Sequence, residues 1–269
     1  MKYALIGSQY VEPSKGAKAT CPLCGSTVIA KCGSYRVNHW AHKGLKDCDI
    51  WAEGETEWHR TWKDKFPREY QEFTQRDQQS GEIHRADVRT NHGLVIEFQH
   101  SHLDPQERDK RERFYGNMVW VVNGTRLKTD YSRFLKGKDN LRGTNVQGFF
   151  LMPRPDDYFP ADWIKSSVPV FFDFLGLVPS DPSEPARQPL WCLLPGRAEG
   201  YAVVVAALRE SFLEAVSKGP YIFFQAPARE TVNVLAEAIR KQNAMARAQA
   251  ERNFQQLAYR PLGRRHFRL

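Results

Sequence analysis

The central part of the chain alternates between helical and strand-like hydrophobic patterns. Residues 51–66 carry apolar side chains at helical spacing until Pro67, which predicts a helix. Three strand-like stretches follow: REYQEFT, EIHRADVRT and GLVIEFQ. A second helix is predicted in DPQERDKRERFYG and a short apolar strand in NMVWVVNG. The predicted order is helix, three strands, helix, strand, which is the size of one small α/β core.

The hairpin in this core is predicted to bring two acids together. Its turn is Asn91-His92-Gly93, and antiparallel pairing about that turn puts Asp87 opposite Glu97 or within one residue of it. Glu97 and Gln99 share one strand face, which Asp87 joins from the neighbouring strand. Adjacent carboxylates repel each other unless a cation or a proton lies between them, and Mg²⁺ prefers oxygen ligands. The pair therefore indicates a magnesium site, although a solvated sheet face with ordinary acids has the same spacing.

The first predicted helix directs ionisable residues towards this hairpin. Glu55, His59 and Lys63 recur every four residues and would share one helical face. The adjacent apolar stripe, which would dock on the sheet, consists of Trp58, Trp62 and Phe66. Three ionisable side chains would then reach over the hairpin. A surface helix with ordinary ion pairs is the alternative.

Taken together, these segments resemble a known family. GETEWHRTWK, HRADV and GLVIEFQHS look like the competence protein CoiA-like nucleases, a branch of the PD-(D/E)xK phosphodiesterase superfamily, and the likeness spans roughly residues 20–125. The predicted order of elements is also the core order of that superfamily. The resemblance therefore implies a restriction-endonuclease-like αβββαβ core and an enzyme that hydrolyses DNA phosphodiester bonds with Mg²⁺ or Mn²⁺.

The resemblance also implies catalytic residues. Asp87 matches the metal-binding aspartate, Glu97 the acid of the (D/E)xK motif, and Glu55 the acidic residue of the first helix. Gln99 stands where most of the superfamily carries a lysine, a replacement typical of this branch. We expect Gln99 to position water or the scissile phosphate through neutral hydrogen bonds.

Substrate-binding residues are implied around the same site. His59 and Lys63 follow Glu55 at the spacing of the family. Because Gln99 carries no charge, the positive charge that stabilises the phosphate has to come from Lys63, Arg85 or a second metal ion.

Cysteine and histidine residues cluster near the N-terminus. CPLCG at 21–25 and HWAHKG at 39–44 are predicted turns that each present two ligands three residues apart. Such pairs are typical of a closed tetrahedral Zn²⁺ site. The ligand candidates are Cys21, Cys24, His39, His42 and Cys48, and Cys48 could displace one histidine. We expect four of the five to hold structural zinc; free thiols with a chance histidine pair are the alternative. The layout also resembles the N-terminal zinc module of the family.

Three regions follow from these patterns. Residues 1–50 would form the zinc-ribbon-like module, 51–150 the nuclease core, and 151–269 an α/β or helical extension. From Ala228 to about Tyr259 the extension is helical and basic, and it ends in the basic tail RPLGRRHFRL. Such a helix could track a phosphate backbone, or hold a protein partner or a second copy of the chain. A solvated surface helix with a frayed end is the alternative.

Composition adds information about partners and location. The chain has 39 Lys and Arg against 31 Asp and Glu, a net charge of +8 that permits a polyanionic partner such as DNA. No apolar run approaches the roughly 20 residues of a membrane span, and no signal-peptide pattern opens the sequence. We therefore expect a soluble cytoplasmic protein without a membrane partner.

A different class of function remains open. Aromatic and basic residues near the cysteines, among them Tyr35, Arg36 and Trp40, suit nucleic-acid binding through stacking and phosphate contacts. They suit packing and solubility equally well. The alternative to a nuclease is therefore a zinc-containing nucleic-acid-binding protein on a catalytically weak nuclease fold.

Overall fold

The chain folds into a mixed α/β structure with two sheets. The computed structural model describes residues 1–44, 48–179, 181–223 and 226–258. The helices of the described chain are α1 (Glu57–Lys63), α2 (Pro105–Tyr115), α3 (Lys128–Lys138), α4 (Ala161–Ile164), α5 (Arg209–Lys218) and α6 (Ala228–Ala258). The basic tail predicted after Tyr259 lies outside these residues.

The smaller sheet belongs to the N-terminal module. Its strands are β1 (Ala4–Ile6), β2 (Gln9–Val11), β3 (Lys18–Thr20), β4 (Thr27–Lys31) and β5 (His39–His42). They are antiparallel in the order β2-β1-β3-β4-β5. Its buried core consists of Ala4, Ala19, Cys21, Val28 and Trp40. So small a core supplies little stability by itself, a situation in which small domains often use a structural metal.

The larger sheet has nine strands in the order β10-β11-β14-β13-β12-β9-β8-β7-β6. Their bounds are β6 (Gln71–Arg76), β7 (Ile83–Arg89), β8 (Val95–Gln99), β9 (Met118–Asn123), β10 (Arg142–Gly143), β11 (Phe149–Met152), β12 (Val170–Asp173), β13 (Leu190–Leu193) and β14 (Ala202–Ala207). Strand β9 pairs in parallel with β8 and β12, and the other pairs are antiparallel. The runs MVWVVN and VFFD suit this central position because these strands are buried on both faces.

The two faces of the large sheet carry separate cores. Leu94, Ile96 and Phe98 lie in the cluster that also holds Trp58 and the other apolar residues of α1. The predicted docking of the first helix through its tryptophan stripe is therefore confirmed. The opposite cluster contains Val95 and Trp120, in keeping with the alternation of strand side chains.

The predicted order of helix, three strands, helix and strand is present from α1 to β9. Helix α1 is shorter than the predicted 51–66, because Thr56 caps it: its hydroxyl accepts the backbone N–H of His59 at 3.3 Å. Glu55 therefore precedes the helix, and the prediction that it shares a helical face with His59 and Lys63 is wrong.

Strands β11 to β14 extend the same large sheet beyond residue 150. The domain boundary at 150 stays a prediction. In α6, Val232 and Leu235 are buried, whereas Phe254 is 74% exposed. None of the described helices combines the length and the hydropathy that a membrane crossing requires. The cytoplasmic location likewise stays a prediction.

Candidate active site and metal centre

Four of the five predicted zinc ligands form one group, here called the cysteine cluster: Cys21, Cys24, His42 and Cys48. Their ligand atoms all lie within 4.8 Å of one another. The sulfurs of Cys21 and Cys48 are 3.7 Å apart, and the Cys24 sulfur lies 3.3 Å from Nε2 of His42. A tetrahedral zinc ion has sulfur–sulfur edges of about 3.8 Å and sulfur–nitrogen edges of about 3.5 Å. The cluster could therefore hold zinc.

His39 is the candidate that lies outside the cluster. The segment HWAH, predicted as a turn, is strand β5, so side chains three residues apart point to opposite faces of the sheet. His42 faces the cysteines, while Nδ1 of His39 lies 2.9 Å from the carbonyl oxygen of Val37 and donates a hydrogen bond to it. Cys48 takes the fourth ligand position instead, which was the exchange left open from the sequence.

Crowding perturbs the thiols of the cluster. Burial alone would raise the pKa of Cys24, but hydrogen bonds with Ser26 and then His42 lower it to about 6. Burial and the neighbouring Cys21 raise the pKa of Cys48 to about 12. Cys48 resists ionisation because it faces other sulfurs. A divalent cation between these sulfurs would make ionisation of the thiol favourable.

The predicted acid pair lies on neighbouring strands at the expected register. Val88 pairs with Ile96, which places Asp87 opposite Glu97. The backbone N–H of Asp87 donates to Oε1 of Glu97 at 3.1 Å, and the N–H of Phe98 donates to Oδ2 of Asp87 at 3.0 Å. Carboxylates thus replace backbone carbonyls as acceptors at this point of the ladder.

The strand is distorted at Asp87. Ala86 and Val88 are two residues apart, yet they belong to the cores on opposite faces of the sheet. Across the pair, Glu72 lies opposite Asp87 and has a φ of 52°, a left-handed conformation that is rare for glutamate. Such strain is concentrated at functional sites, where the surrounding structure holds it in place.

Lys63 supplies the local positive charge. Its Nζ lies 2.9 Å from Glu55, 3.2 Å from Glu72 and 3.8 Å from Asp87, and the lysine is buried. Burial would lower the pKa of Lys63, but the charges of Glu72 and Glu55 outweigh it and raise that pKa. Lys63 therefore stays protonated and is engaged by three carboxylates.

Glu97 is less well compensated. Burial, and then the charge of Asp87, raise the pKa of Glu97 to about 8. Nη1 of Arg111 is 3.5 Å from Glu97, but the same guanidinium also donates from Nη2 to the carbonyl of Trp51 at 2.8 Å and from Nε to Glu107 at 3.1 Å. A cation between Asp87 and Glu97 would favour the ionised form of Glu97.

Gln99 lies on the same strand and is 1% exposed. Its side-chain nitrogen donates to Glu53, and to the carbonyl of Ser101 at 3.3 Å. The Ser101 hydroxyl donates to the same Glu53 oxygen at 2.7 Å. Glu53 therefore fixes the amide of Gln99, a contact that was not predicted from the sequence.

His59 and Arg85 are each held by hydrogen bonds beside the site. Nε2 of His59 donates to the carbonyl of Phe98 at 2.9 Å, while Nδ1 accepts the Thr56 hydroxyl at 2.8 Å. The backbone N–H of Arg85 donates to Asp49 at 2.8 Å. His59 thereby holds the peptide between Glu97 and Gln99.

One pocket, here called the carboxylate pocket, is lined by all seven residues predicted for the core: Glu55, His59, Lys63, Arg85, Asp87, Glu97 and Gln99. Its volume is about 50 Å³, enough for a hydrated ion and a few waters. Within the described residues, no third acid joins Asp87 and Glu97 in a group as tight as the cysteine cluster. Two carboxylates with retained waters remain a usual arrangement for Mg²⁺.

Three further charged side chains line this pocket and were not predicted from the sequence: Glu53, Glu72 and Arg111. Glu72 could have been found as an acid on the strand next to Asp87, but its left-handed backbone breaks the alternation used to assign faces. Glu53 and Arg111 come from elements whose approach to the hairpin depends on tertiary packing.

Comparisons with known proteins fit this geometry. Residues 10–51, which span the cysteine cluster, match the model of the N-terminal domain of competence protein CoiA. A curated relative, competence protein CoiA of Bacillus subtilis (strain 168), is 28% identical over 148 residues. That match covers 49% of this chain and 38% of the relative. No solved structure matches the chain. The chain is thus similar to competence protein CoiA in its N-terminal module and over about half of its own length, and it spans well under two thirds of that relative.

Proposed function

We propose that the chain is a metal-dependent nuclease that hydrolyses DNA phosphodiester bonds. The observation that carries this proposal is the carboxylate pocket, in which Asp87 and Glu97 oppose each other beside Gln99 and Lys63. Opposed, partly uncompensated carboxylates are the ligands that Mg²⁺ or Mn²⁺ takes in phosphodiesterases. The order α1, β6 to β8, α2, β9 supports a PD-(D/E)xK core.

Asp87 and Glu97 would hold the metal ion. When bound, Mg²⁺ supplies Lewis acidity and a water of lowered pKa. The raised pKa of Glu97 fits this role, because a bound cation stabilises the ionised carboxylate. Lys63 contacts both Glu55 and Asp87. Glu55 would therefore orient the site through Lys63 rather than bind the metal ion directly.

Gln99 and Lys63 would act on the substrate side. Glu53 fixes the Gln99 nitrogen, which sets the orientation of the whole amide towards water or phosphate. Lys63 keeps a positive charge in the pocket and would offset charge that develops on the phosphate. His59 holds the Phe98 peptide and so keeps Glu97 and Gln99 in register.

A role in competence is part of the proposal. The curated relative is named a competence protein, and DNA uptake or recombination would supply a DNA substrate. Defence against foreign DNA is the second setting proposed for the same chemistry. The C-terminal half of α6, exposed over 240–247 and 249–255, would offer a surface for DNA, a protein partner or a second copy of the chain.

The runner-up function is nucleic-acid binding without cleavage. It is favoured by one observation: Lys63 is engaged by three carboxylates, and the lysine position of the motif holds the neutral Gln99. A pocket without an available cation would stabilise the transition state poorly.

A cleavage assay separates the two functions. The full chain is incubated with single-stranded, duplex and branched DNA and with RNA, in Mg²⁺, in Mn²⁺ and without either ion. We expect metal-dependent cleavage of DNA. Gln99→Leu should lose most of the activity, about a hundredfold, because it removes only positioning hydrogen bonds, while Gln99→Lys should retain part of it. Binding without cleavage of any substrate would favour the runner-up instead.

A further inference from the structure

A second, larger cavity adjoins the carboxylate pocket. Its volume is about 780 Å³, within the range of ligand-binding clefts, and it shares Glu53, Gly54 and Glu55 with that pocket. Its other wall is the loop 32–38 of the N-terminal module, which joins β4 to β5. Because the carboxylate pocket has room only for an ion and a few waters, a polymer has to approach through a larger opening such as this one.

The loop 32–38 is held beside the pocket. Nη2 of Arg60 donates to the carbonyl of Asn38 at 2.8 Å, and Nε of the same side chain donates to Glu55 at 3.0 Å. Within the loop, His39 bonds the Val37 carbonyl. A single arginine thus connects the loop to a residue that lines both cavities.

The loop presents one aromatic ring to solvent. Tyr35 is 99% exposed, the highest value among the large hydrophobic residues of the described chain. Tyr10, on the same sheet, has its ring covered by Arg68 at 4.8 Å. Trp40 is buried, and its indole donates to the Val11 carbonyl at 3.0 Å, so its role is packing. At 99% exposure, the Tyr35 ring packs against no part of the described chain and is accessible to a ligand.

Positive charge accompanies this ring. Arg36 is exposed next to Tyr35 and forms no ion pair with other residues of the described chain, and Lys31 is exposed at the base of the loop. The facing wall carries Glu53, Glu55 and Glu57. A phosphate backbone would therefore follow the loop side of the cavity and approach the acids only where a metal ion offsets them.

We propose that this cavity binds single-stranded DNA, with an unpaired base stacked on Tyr35 and the adjacent phosphate on Arg36, and that it leads the strand to Asp87 and Glu97. Stacking on a protein ring requires a base whose face is open, which a duplex does not offer along its length. As the route of the substrate, this inference rests on the proposed nuclease function; as a binding site, it can be tested separately.

Binding of a fluorescein-labelled oligothymidine of about 20 nucleotides is measured by anisotropy in the full chain carrying Asp87→Ala, which prevents cleavage. Adding Tyr35→Ala should weaken binding about tenfold, and Tyr35→Trp should stay within about twofold because it keeps the stacking surface. Arg36→Ala removes one phosphate contact. The slope of the logarithm of the binding constant against the logarithm of the salt concentration should therefore become shallower by about 0.7. Tyr10→Ala is the matched control and should bind as the parent does.

Two results would overturn the inference: unchanged oligothymidine binding in Tyr35→Ala, or an equal loss of affinity for a duplex of the same length. Zinc content and thermal melts of each variant verify that the module is folded. A chain that binds through Tyr35 but never cleaves DNA would overturn the nuclease and leave this binding site standing.

Discussion

The cysteine cluster and the carboxylate pocket both crowd ionisable groups, and they balance charge in different ways. In the cluster, three thiols and one imidazole face one another, and the pKa values of Cys24 and Cys48 are driven apart, to about 6 and about 12. In the pocket, Lys63 lies among three acids and its pKa is raised. The cluster could balance its thiolates with an added cation, whereas the pocket already contains the cationic side chain of Lys63.

This difference explains why the two sites are organised to different degrees. A closed zinc site needs all four ligands in place, and the described structure gathers four. A catalytic magnesium site needs one or two carboxylates and open positions for water and phosphate. In the proposed function, the opposed pair of Asp87 and Glu97 would take that task, and the raised pKa of Glu97 marks a carboxylate that an added cation would stabilise.

Removing a cluster ligand should have the largest effect. We expect about one zinc per chain, and Cys24→Ser should lose the metal and lower the unfolding temperature of the N-terminal module by more than about 10 °C, because a structural site contributes several kcal/mol to folding. Elemental analysis and thermal melts measure both quantities. Cys32→Ser is the control, since Cys32 lies outside the cluster and its thiol contacts the Pro13 carbonyl. A zinc-free wild-type chain would refute this account of the cluster.

Removing the built-in cation of the pocket should come next. Lys63→Met leaves Glu55, Glu72 and Asp87 without their shared partner and should cost about 3–5 kcal/mol of stability, as measured by urea unfolding. Lys65→Met changes an exposed lysine two residues away and should stay within about 0.5 kcal/mol. An equal loss of stability in both variants would mean that the pocket does not depend on Lys63 to balance the charge of its carboxylates.

Glu97 should give the smaller, pH-dependent effect. Its folded pKa of about 8 lies above its unfolded value of about 4.3, so its contribution to stability is complete below the unfolded value and is lost as pH rises through about 8. Without added Mg²⁺, wild type should therefore lose stability relative to Glu97→Gln between pH 5 and 8.5, by about 1–4 kcal/mol. Glu82→Gln, at an exposed position, serves as the control. If the stability of wild type and of Glu97→Gln changed with pH in the same way, the charge of Glu97 would already be balanced by neighbouring groups.

Short-range patterns predicted much of this molecule. The turn at 91–93 and the alternation of β8 were enough to oppose Asp87 and Glu97, and the paired cysteines and histidines were enough to limit the zinc ligands to five candidates. Cys48 rather than His39 completes the cluster because β5 is a strand. The spacing of its two histidines had indicated a turn instead.

Other features depend on long-range packing or local strain. Because Thr56 caps α1, Glu55 lies outside the helix, yet it still contacts Lys63. Glu53 and Arg111 reach the pocket from segments whose positions no local pattern encodes, and the left-handed backbone of Glu72 breaks the alternation that would have assigned its face. The partners of Gln99 and Lys63 could for that reason not be predicted from the sequence.

The rate of Mg²⁺-dependent DNA cleavage in Asp87→Ala and Glu97→Ala tests the central claim most directly. Each substitution removes one of the two carboxylates that would hold the metal ion, so both variants should cleave at least about a thousandfold more slowly than wild type. Salt-dependent DNA binding should persist in both variants, because the basic surface is unchanged. Glu82→Ala, which changes an exposed acid on the loop between β6 and β7, should cleave as wild type does. Cleavage at the wild-type rate by a folded Glu97→Ala protein would contradict the account and place the chemistry outside this pocket.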